Sequence, residues 1–388
     1  MSEPILKTLI IETRASVADI PDEDWQRLAG TSNPFLRREF FQALEESGCT
    51  SPDTGWTPSY LVFRHGNQLI GLAPAYLKTH SRGEYVFDWG WAEAYQRYGL
   101  PYYPKLLVAI PFTPSVGPRL LLAPELRQHL TPQLLHNALD ALTDRLGAHS
   151  WHVLFPDSED QILLNNGQGF HRLGCQFHWH NRNYQSFTDY LSALNSRRRK
   201  AIRKERRQVA EQDITFTRFH GQNIPAHVLA AFYVFYQATY LKRGQRPYLN
   251  QAFFEQLHRD LPEHLHLIMA MKDGQMIAGA LFLQSESTLY GRYWGCLEEY
   301  KHLHFETCYY QGIELALSLG LSHFDAGAQG EHKLIRGFEP TRTHSWHGIR
   351  HPGFREAISE AVHEESEQVQ AYIAEAETLL PFKEQSAH

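Results

Sequence analysis

One plan is written twice along this chain, and a duplicated plan constrains the fold more tightly than any single motif. PFLRREFFQAL (34–44) aligns with PYLNQAFFEQL (247–257) at an offset of 213, sharing Pro, Leu, both Phe and the final Leu. GNQLIGLA (66–73) resembles DGQMIAGA (273–280) at an offset of 207. YVFDWGWAEAY (85–95) matches YGRYWGCLEEY (290–300) at 205, and LGAHSWHVLF (146–155) resembles LGLSHFDAGA (319–328) near 173. Four collinear blocks separated by loop indels indicate duplication. At roughly 100–200 residues per domain, a chain of 388 residues has room for both copies.

The shared plan begins with a strand, KTLIIET in copy one and ITFTRF in copy two, followed by two helices. Two strands joined by a tight turn come next, and Asp273-Gly274 between apolar runs is a strong hairpin signal. The alignment then predicts a third strand carrying Trp-Gly in each copy. A helix ended by Gly follows (TPQLLHNALDALTDRLG, FETCYYQGIELALSLG), and a short strand closes the plan (WHVLFP, SHFDAG). The falling offset gives copy one about 32 extra residues between its third strand and that helix. They are rich in Pro and aromatics, a composition that suits a functional loop or a structural lid. The expected division is a first unit over 1–186 with a Pro/aromatic insertion at 97–130, and a second over 187–388. The second carries a basic helix at 188–211 and an acidic C-terminal helix at 355–380, whose apolar positions Ile358, Val362, Val369, Ile373, Ala376 and Leu380 share one face.

Charge is placed rather than spread. RRRKAIRKERR (197–207) holds eight basic residues against Glu205, a net +7, which leaves −13 on the rest of a chain whose total is −6. Arg199, Arg203, Arg206 and Arg207 recur at helical spacing, as do Lys200 and Lys204, and Ile202 and Val209 mark the opposite face. Such a helix attracts polyanions such as tRNA, a nucleotide diphosphate, CoA or anionic lipid, unless the acidic tail neutralises it. The apolar content of 43% builds cores, and no apolar run approaches the ~20 residues of a membrane span. The N-terminus lacks the pattern of a signal peptide, and Cys49, Cys175, Cys296 and Cys308 form no CxxC, so a cytoplasmic protein with reduced thiols is expected.

Chemistry concentrates in FDAGAQGEHKLIRGFEP (324–340). A strand ending in Asp325 opens into Gly327 and Gly330, and Glu331, His332, Lys333 and Arg336 follow within six residues. An aromatic belt is the second concentration, with nine rings over 85–113 including Trp89 and Tyr95, and with Tyr290, Tyr293 and Trp294 in copy two. Such rings line a groove for a peptide or sugar, or they form core. Arg292 shares the strand face of Trp294. His344, His347 and His351 have the best metal-ligand spacing, but no HExxH or His/Cys pairing accompanies them, so no metal is expected. No GxSxG or Walker pattern is present.

FDWGWAEAYQRYGLPYYPKLL (87–107), PFTPSVGPRLL (111–121), LNSRRRKAIRKERR (194–207) and FDAGAQGEHKLIRGFEP (324–340), extended by THSWHGIRHPGFREAI (343–358), resemble the FemAB-like group of the GNAT acyltransferase superfamily. That group is labelled peptidoglycan biosynthesis/recognition and is related to the Fem aminoacyltransferases. The resemblance implies an α/β (α+β) fold of two tandem GNAT-like units, each a mixed, mostly antiparallel sheet flanked by helices. It implies that the acyl donor lies where the Trp-Gly strand and the Asp325 strand part, with Gln329, Glu331 and His332 near the reacting carbonyl; Glu331, His332 and Asp325 are then the expected catalytic residues, with Glu331 or His332 taking the amine proton. Lys333, Arg336 and the basic helix would then bind phosphates. The pyrophosphate loop of ordinary GNAT enzymes is missing, and YKHLHFETCYYQG (300–312) stands in its place. The expectation is an acyl- or aminoacyltransferase with no tightly bound cofactor, which uses aminoacyl-tRNA or acyl-CoA as co-substrate. Its acceptor would be the amine of a peptidoglycan precursor or another amine. A CoA-dependent N-acyltransferase and a non-catalytic peptidoglycan- or polyanion-binding protein are the alternatives.

Overall fold

The computed structural model describes residues 5–328 and 330–383. The chain forms two compact units. The first takes the chain up to Thr31 together with Phe35–Gly174 and Arg342–Ala371; the second takes Ser32–Pro34, Cys175–Thr341 and the chain from Tyr372 on. The division at Gly174/Cys175 and the return of Arg342–Ala371 to the first unit differ from a simple break at 186/187. The difference arises because most of the last strand, Glu339–Ile349, and most of the C-terminal helix, Pro352–Thr378, complete the first unit, while Glu339–Thr341 and the helix from Tyr372 on stay with the second.

In the first unit, Leu9–Arg14 pairs antiparallel with Tyr60–His65, which turns at Gly66-Asn67 into Gln68–Ala73. Pro74 stops that ladder because it has no N–H to give. The chain therefore crosses to a second sheet, where Ala75–Lys78 pairs antiparallel with Lys105–Val108. Lys105–Val108 runs parallel to Ser150–Leu154, with the helix Pro132–Arg145 in the crossover that a parallel pair requires. Ser345–Ile349 of the last strand pairs antiparallel with Ser150–Leu154. Leu61, Phe63, Leu106, Val108, Leu139, Trp151 and Val153 form the core beneath.

Two expectations about this unit need correction. WGWAEAYQR is the helix Trp89–Arg97, not a Trp-Gly strand. Its Trp91, Tyr95 and Tyr98 recur at a spacing of three to four, a helical period that outweighs the likeness to YWGC. The third strand is Lys105–Val108 instead, so the extra chain lies on both sides of it rather than after it. The part after it, Pro111–Leu120, is held across the ends of the parallel pair. Arg119, fully buried, donates to the carbonyls of Ser115, Gly117, Pro118 and Leu154, and Gly117 bridges Pro156. The gap where these two strands would part is thus filled by the protein's own backbone.

The second unit keeps the plan open. Ile214–His220, Leu265–Lys272, Gln275–Gln284 and Thr288–Cys296 form an antiparallel run in that order. The expected hairpin is present at Asp273-Gly274, both at positive φ, as its turn type demands. Thr288–Cys296 runs parallel to His323–Asp325, which pairs antiparallel with the far end of Phe170–His180. Gly295 of the Trp-Gly pair lets the helix Ala226–Leu241 lie on this strand, since a Cβ there would sit 1.8 Å from the Phe235 carbonyl oxygen. The basic segment is two helices, Phe187–Ala193 and Ser196–Ala210, restarted by Asn195, whose side chain accepts the Arg198 N–H at 3.0 Å. The acidic segment is one helix, Pro352–Thr378, with Ile358, Val362, Ile373 and Ala376 buried. Among the described residues no helix is long and apolar enough to cross a membrane.

Arg119→Met removes donors from carbonyls that stay buried, and should cost about 3 kcal/mol in chemical denaturation. Arg97→Met, on an exposed side chain, should stay within about 0.5 kcal/mol.

Candidate functional site

The parallel pairing of the second unit lasts three rungs, Thr288↔His323, Leu289↔Phe324 and Tyr290↔Asp325. Beyond them Thr288–Cys296 continues while the other strand ends at Asp325 and the chain turns off through Ala326 and Gly327. Arg292 reaches back across the opening and meets Asp325 Oδ2 at 2.6 Å, with side chains 2% and 4% exposed. Asp325 Oδ1 accepts the Gly327 N–H at 2.9 Å. Asp325 therefore spends its carboxylate on holding the opening, with Arg292 as its counter-charge. Lys333, also buried, donates to the Gly327 carbonyl at 2.6 Å. Burial brings the Lys333 pKa down to about 8, with Asp325 opposing the shift and Arg292 adding to it.

Gly330, at φ +120°, turns the chain into the short helix Glu331–Arg336. His332 is exposed, and its Nε2 lies 2.8 Å from the Tyr309 hydroxyl. Desolvation, then Arg336 and Lys333, hold the His332 pKa below the usual histidine value. Glu331 is exposed and accepts the Tyr372 hydroxyl at 3.0 Å. Gln329 lies outside the described residues. Arg336 is buried, forks onto both oxygens of Glu205 at 2.9 Å, donates to Tyr310 Oη at 2.9 Å and lies over the Phe305 ring. Its charge is thus met inside the protein. Trp294 is half-buried beside His304, and Thr239 donates to its carbonyl at 2.9 Å.

Several of these partners escaped the sequence reading. Glu205 counts in the sequence only as the one acid in a basic run, and Tyr309 and Tyr310 belong to the aromatic belt of copy two, which reads equally as groove or core. The turn Glu306–Tyr310 is π-helical, a local form that recurs at functional sites. In it Tyr309 bonds His332, while Tyr310 bonds Glu205 and Arg336. The only available signal was a pair of adjacent hydroxyl-bearing rings in the segment that replaces the pyrophosphate loop.

Glu205 also ties the basic helix to this loop. At 100° per residue, Arg199, Arg203, Arg207, Lys200 and Lys204 span an arc of about 140° on the face away from Ile202 and Val209. Arg206 is neutralised by Glu306 and Glu314, and Arg207 stands 3.4 Å from Glu211. Among the described residues Arg199, Lys200, Arg203 and Lys204 form no ion pair. Four unpaired cations on one exposed face form a field for an anion.

The remaining candidates lie in the first unit. Trp89 is 42% exposed at the start of its helix, whereas Tyr95 is buried and stacked 3.9 Å from Phe354. His344 bonds His171 at 2.8 Å, His347 bonds His152 at 2.7 Å, and His351 packs on Phe354. Each ring of the HSWHGIRH run therefore has a different partner.

The chain matches the FemAB-like family, described as peptidoglycan biosynthesis/recognition, over residues 16–384. No curated protein matches it significantly. The crystal structure of FemX is similar at 12% identity and a TM-score of 0.52, covering 88% of this chain and 98% of that one. The C-terminal DUF2156 domain of a putative lysylphosphatidylglycerol synthetase from Agrobacterium fabrum is similar at 10% identity and a TM-score of 0.52, covering 89% and 96%. A tandem GNAT protein from the clavulanic acid biosynthesis pathway aligns at 11% identity and a TM-score of 0.48, covering 89% and 99%. At such identities the structural likeness speaks for the fold, and the family match speaks for kinship. With all but the ends of the chain matched, the protein belongs to the FemAB-like family.

Proposed function

We propose that the second unit transfers an aminoacyl group from aminoacyl-tRNA to the amine of a peptidoglycan precursor. The observation that carries this reading is the exposed basic arc of Ser196–Ala210, joined through Glu205 and Arg336 to the Glu331–Arg336 loop at the strand opening. An extended row of unpaired cations suits a long phosphate backbone better than one pyrophosphate. The approach to the helix that would meet a CoA pyrophosphate carries exposed Glu298 and Glu299, which repel it.

In this reading the acceptor amine attacks the ester carbonyl of the donor. A C–N bond forms, the C–O bond to the ribose breaks, and the ribose oxygen leaves as a hydroxyl with one proton. His332, its pKa depressed, shares a hydrogen bond between Nε2 and the Tyr309 hydroxyl, and in the tautomer with the proton on Nε2 it would accept the amine proton at Nδ1. Glu331 is the second acceptor of that proton. Among the described residues no strand pairs with Thr288–Cys296 beyond Tyr290 on the side of the opening, and its N–H groups would meet the developing oxyanion. Lys333 contributes positive potential from below the surface, while Arg336, neutralised by Glu205, fixes the Glu331–Arg336 turn against the basic helix. Arg292 and Asp325 hold the two strands apart, and Trp294 lines the opening.

The test supplies labelled aminoacyl-tRNA or acyl-CoA with a peptidoglycan precursor amine. Transfer should occur with the tRNA ester and not with the thioester; the reverse, or transfer with neither, contradicts the proposal. His332→Ala with Glu331→Gln should lower kcat about 10²-fold or more with folding unchanged. The acid limb of the pH–rate profile should fall below the ordinary histidine pKa, because the His332 pKa is depressed. Glutamine at Arg199, Lys200, Arg203 and Lys204 should raise KM for the donor and flatten its dependence on log[salt]. Glu205→Ala, by contrast, should cost about 3 kcal/mol of stability, because it strands a buried guanidinium.

A further inference from the structure

A strand at the end of a sheet presents a row of unpaired N–H and C=O groups, and natural proteins blunt such edges with short strands, Pro, charge or cover. The first unit blunts each of its end strands. Trp56–Pro58 has three residues and closes on Pro, and Leu121–Leu122 has two. Leu9–Arg14 carries the ion pair Glu12–Arg14 at 2.5 Å, and Arg145 donates to its Ile11 carbonyl at 3.5 Å.

The end strand of the second unit has none of these devices. Ile214–His220 is seven residues long and pairs with Leu265–Lys272 on one side, in unbroken register. ITFTRFH contains no Pro and no Lys, and its Ile214, Thr215, Phe216, Thr217 and Phe219 are residues that favour strands. Among the described residues nothing bonds the N–H and C=O groups of its outer edge. Arg218 does not guard that edge, because its guanidinium is drawn off to Glu314 at 2.7 Å and Gln311 at 2.8 Å.

An open edge of this kind fits another strand, and the sequence selects which one. Two copies of ITFTRFH set antiparallel about a two-fold axis through Thr217 oppose all seven residues, whereas any other two-fold register leaves some unopposed. Thr217 then faces Thr217, Thr215 faces Phe219, and Phe216 faces Arg218 twice. These are favourable cross-strand pairs, hydroxyl with hydroxyl, β-branched with aromatic and cation with ring, and no charge meets its like. The two Ile214 ends, into which the basic helix Ser196–Ala210 leads, would stand about 20 Å apart at a rise of ~3.4 Å per residue. That exceeds the screening length of about 10 Å at 0.1 M salt, so repulsion between the basic helices is weak. A two-fold pairing uses each edge once, and the assembly therefore closes at two copies.

We infer that the outer edge of Ile214–His220 is a dimerisation surface, which takes the same strand of a second copy of this chain in the antiparallel register centred on Thr217. The inference stands apart from the transfer reaction, because association alone reads it.

The test is sedimentation equilibrium of the full chain at tens of micromolar, which should give a reversible dimer. Amide hydrogen exchange over 214–220 should slow as the protein concentration rises. Thr217→Lys, at an exposed position, sets two ammonium groups face to face and should weaken the dimer about tenfold or more with unchanged circular dichroism. Thr217→Val keeps a β-branched side chain and should leave the dimer intact. Added salt should not dissociate it, since backbone hydrogen bonds hold the seam. A monomer at every concentration, a dimer indifferent to Thr217→Lys, or association abolished by salt (as docking of the basic helix on the acidic helix would be) overturns the assignment.

Discussion

The buried pair Arg292–Asp325 is the interaction on which the second unit's site depends. It stands at the last rung where two parallel strands are still joined, and it spans the gap where they separate. An ion pair of this kind is a poor source of stability, because desolvation consumes most of its attraction, but losing one partner strands a charge at a cost of about 3–5 kcal/mol. Its value is geometric. Asp325 turns the loop through Gly327, Lys333 closes the same loop by bonding the Gly327 carbonyl, and His332 and Glu331 are presented to solvent as a result. The titratable groups of the site thus share one support.

The first unit shows the same plan with the opposite outcome. Its parallel pair, Lys105–Val108 with Ser150–Leu154, also ends early, yet backbone fills the space and Arg119 binds that backbone in place. Duplication therefore supplied two openings, of which one is closed by packing and one is kept by charge.

Much of the fold was legible because its signals are local. Asp273-Gly274 fixed a hairpin, Gly147 and Gly320 ended helices, and the C-terminal apolar stripe gave a helix. The third strand of the first unit was misassigned, since YVFDWGWAEAY matched a strand by letters while its ring spacing was that of a helix. Residue identities at the site were legible and their partnerships were not. Arg336 reads as a phosphate ligand until Glu205 is found against it, 131 residues earlier in the chain. The paired tripeptides Ser150-Trp151-His152 and Ser345-Trp346-His347 are visible in sequence, but only strand register shows that they face each other, with His152 opposite His347. Pairings over such separations leave no periodicity to read.

The central claim is that the donor's acyl group lies at the opening of the second unit and not at its closed counterpart. Photo-crosslinking with a non-hydrolysable aminoacyl-tRNA analogue, its reactive group on the aminoacyl moiety, tests this most directly through peptide mapping. Labelled peptides should fall within residues 291–296 and 326–336. Labelling confined to 109–120 or 154–157 of the first unit would contradict the account.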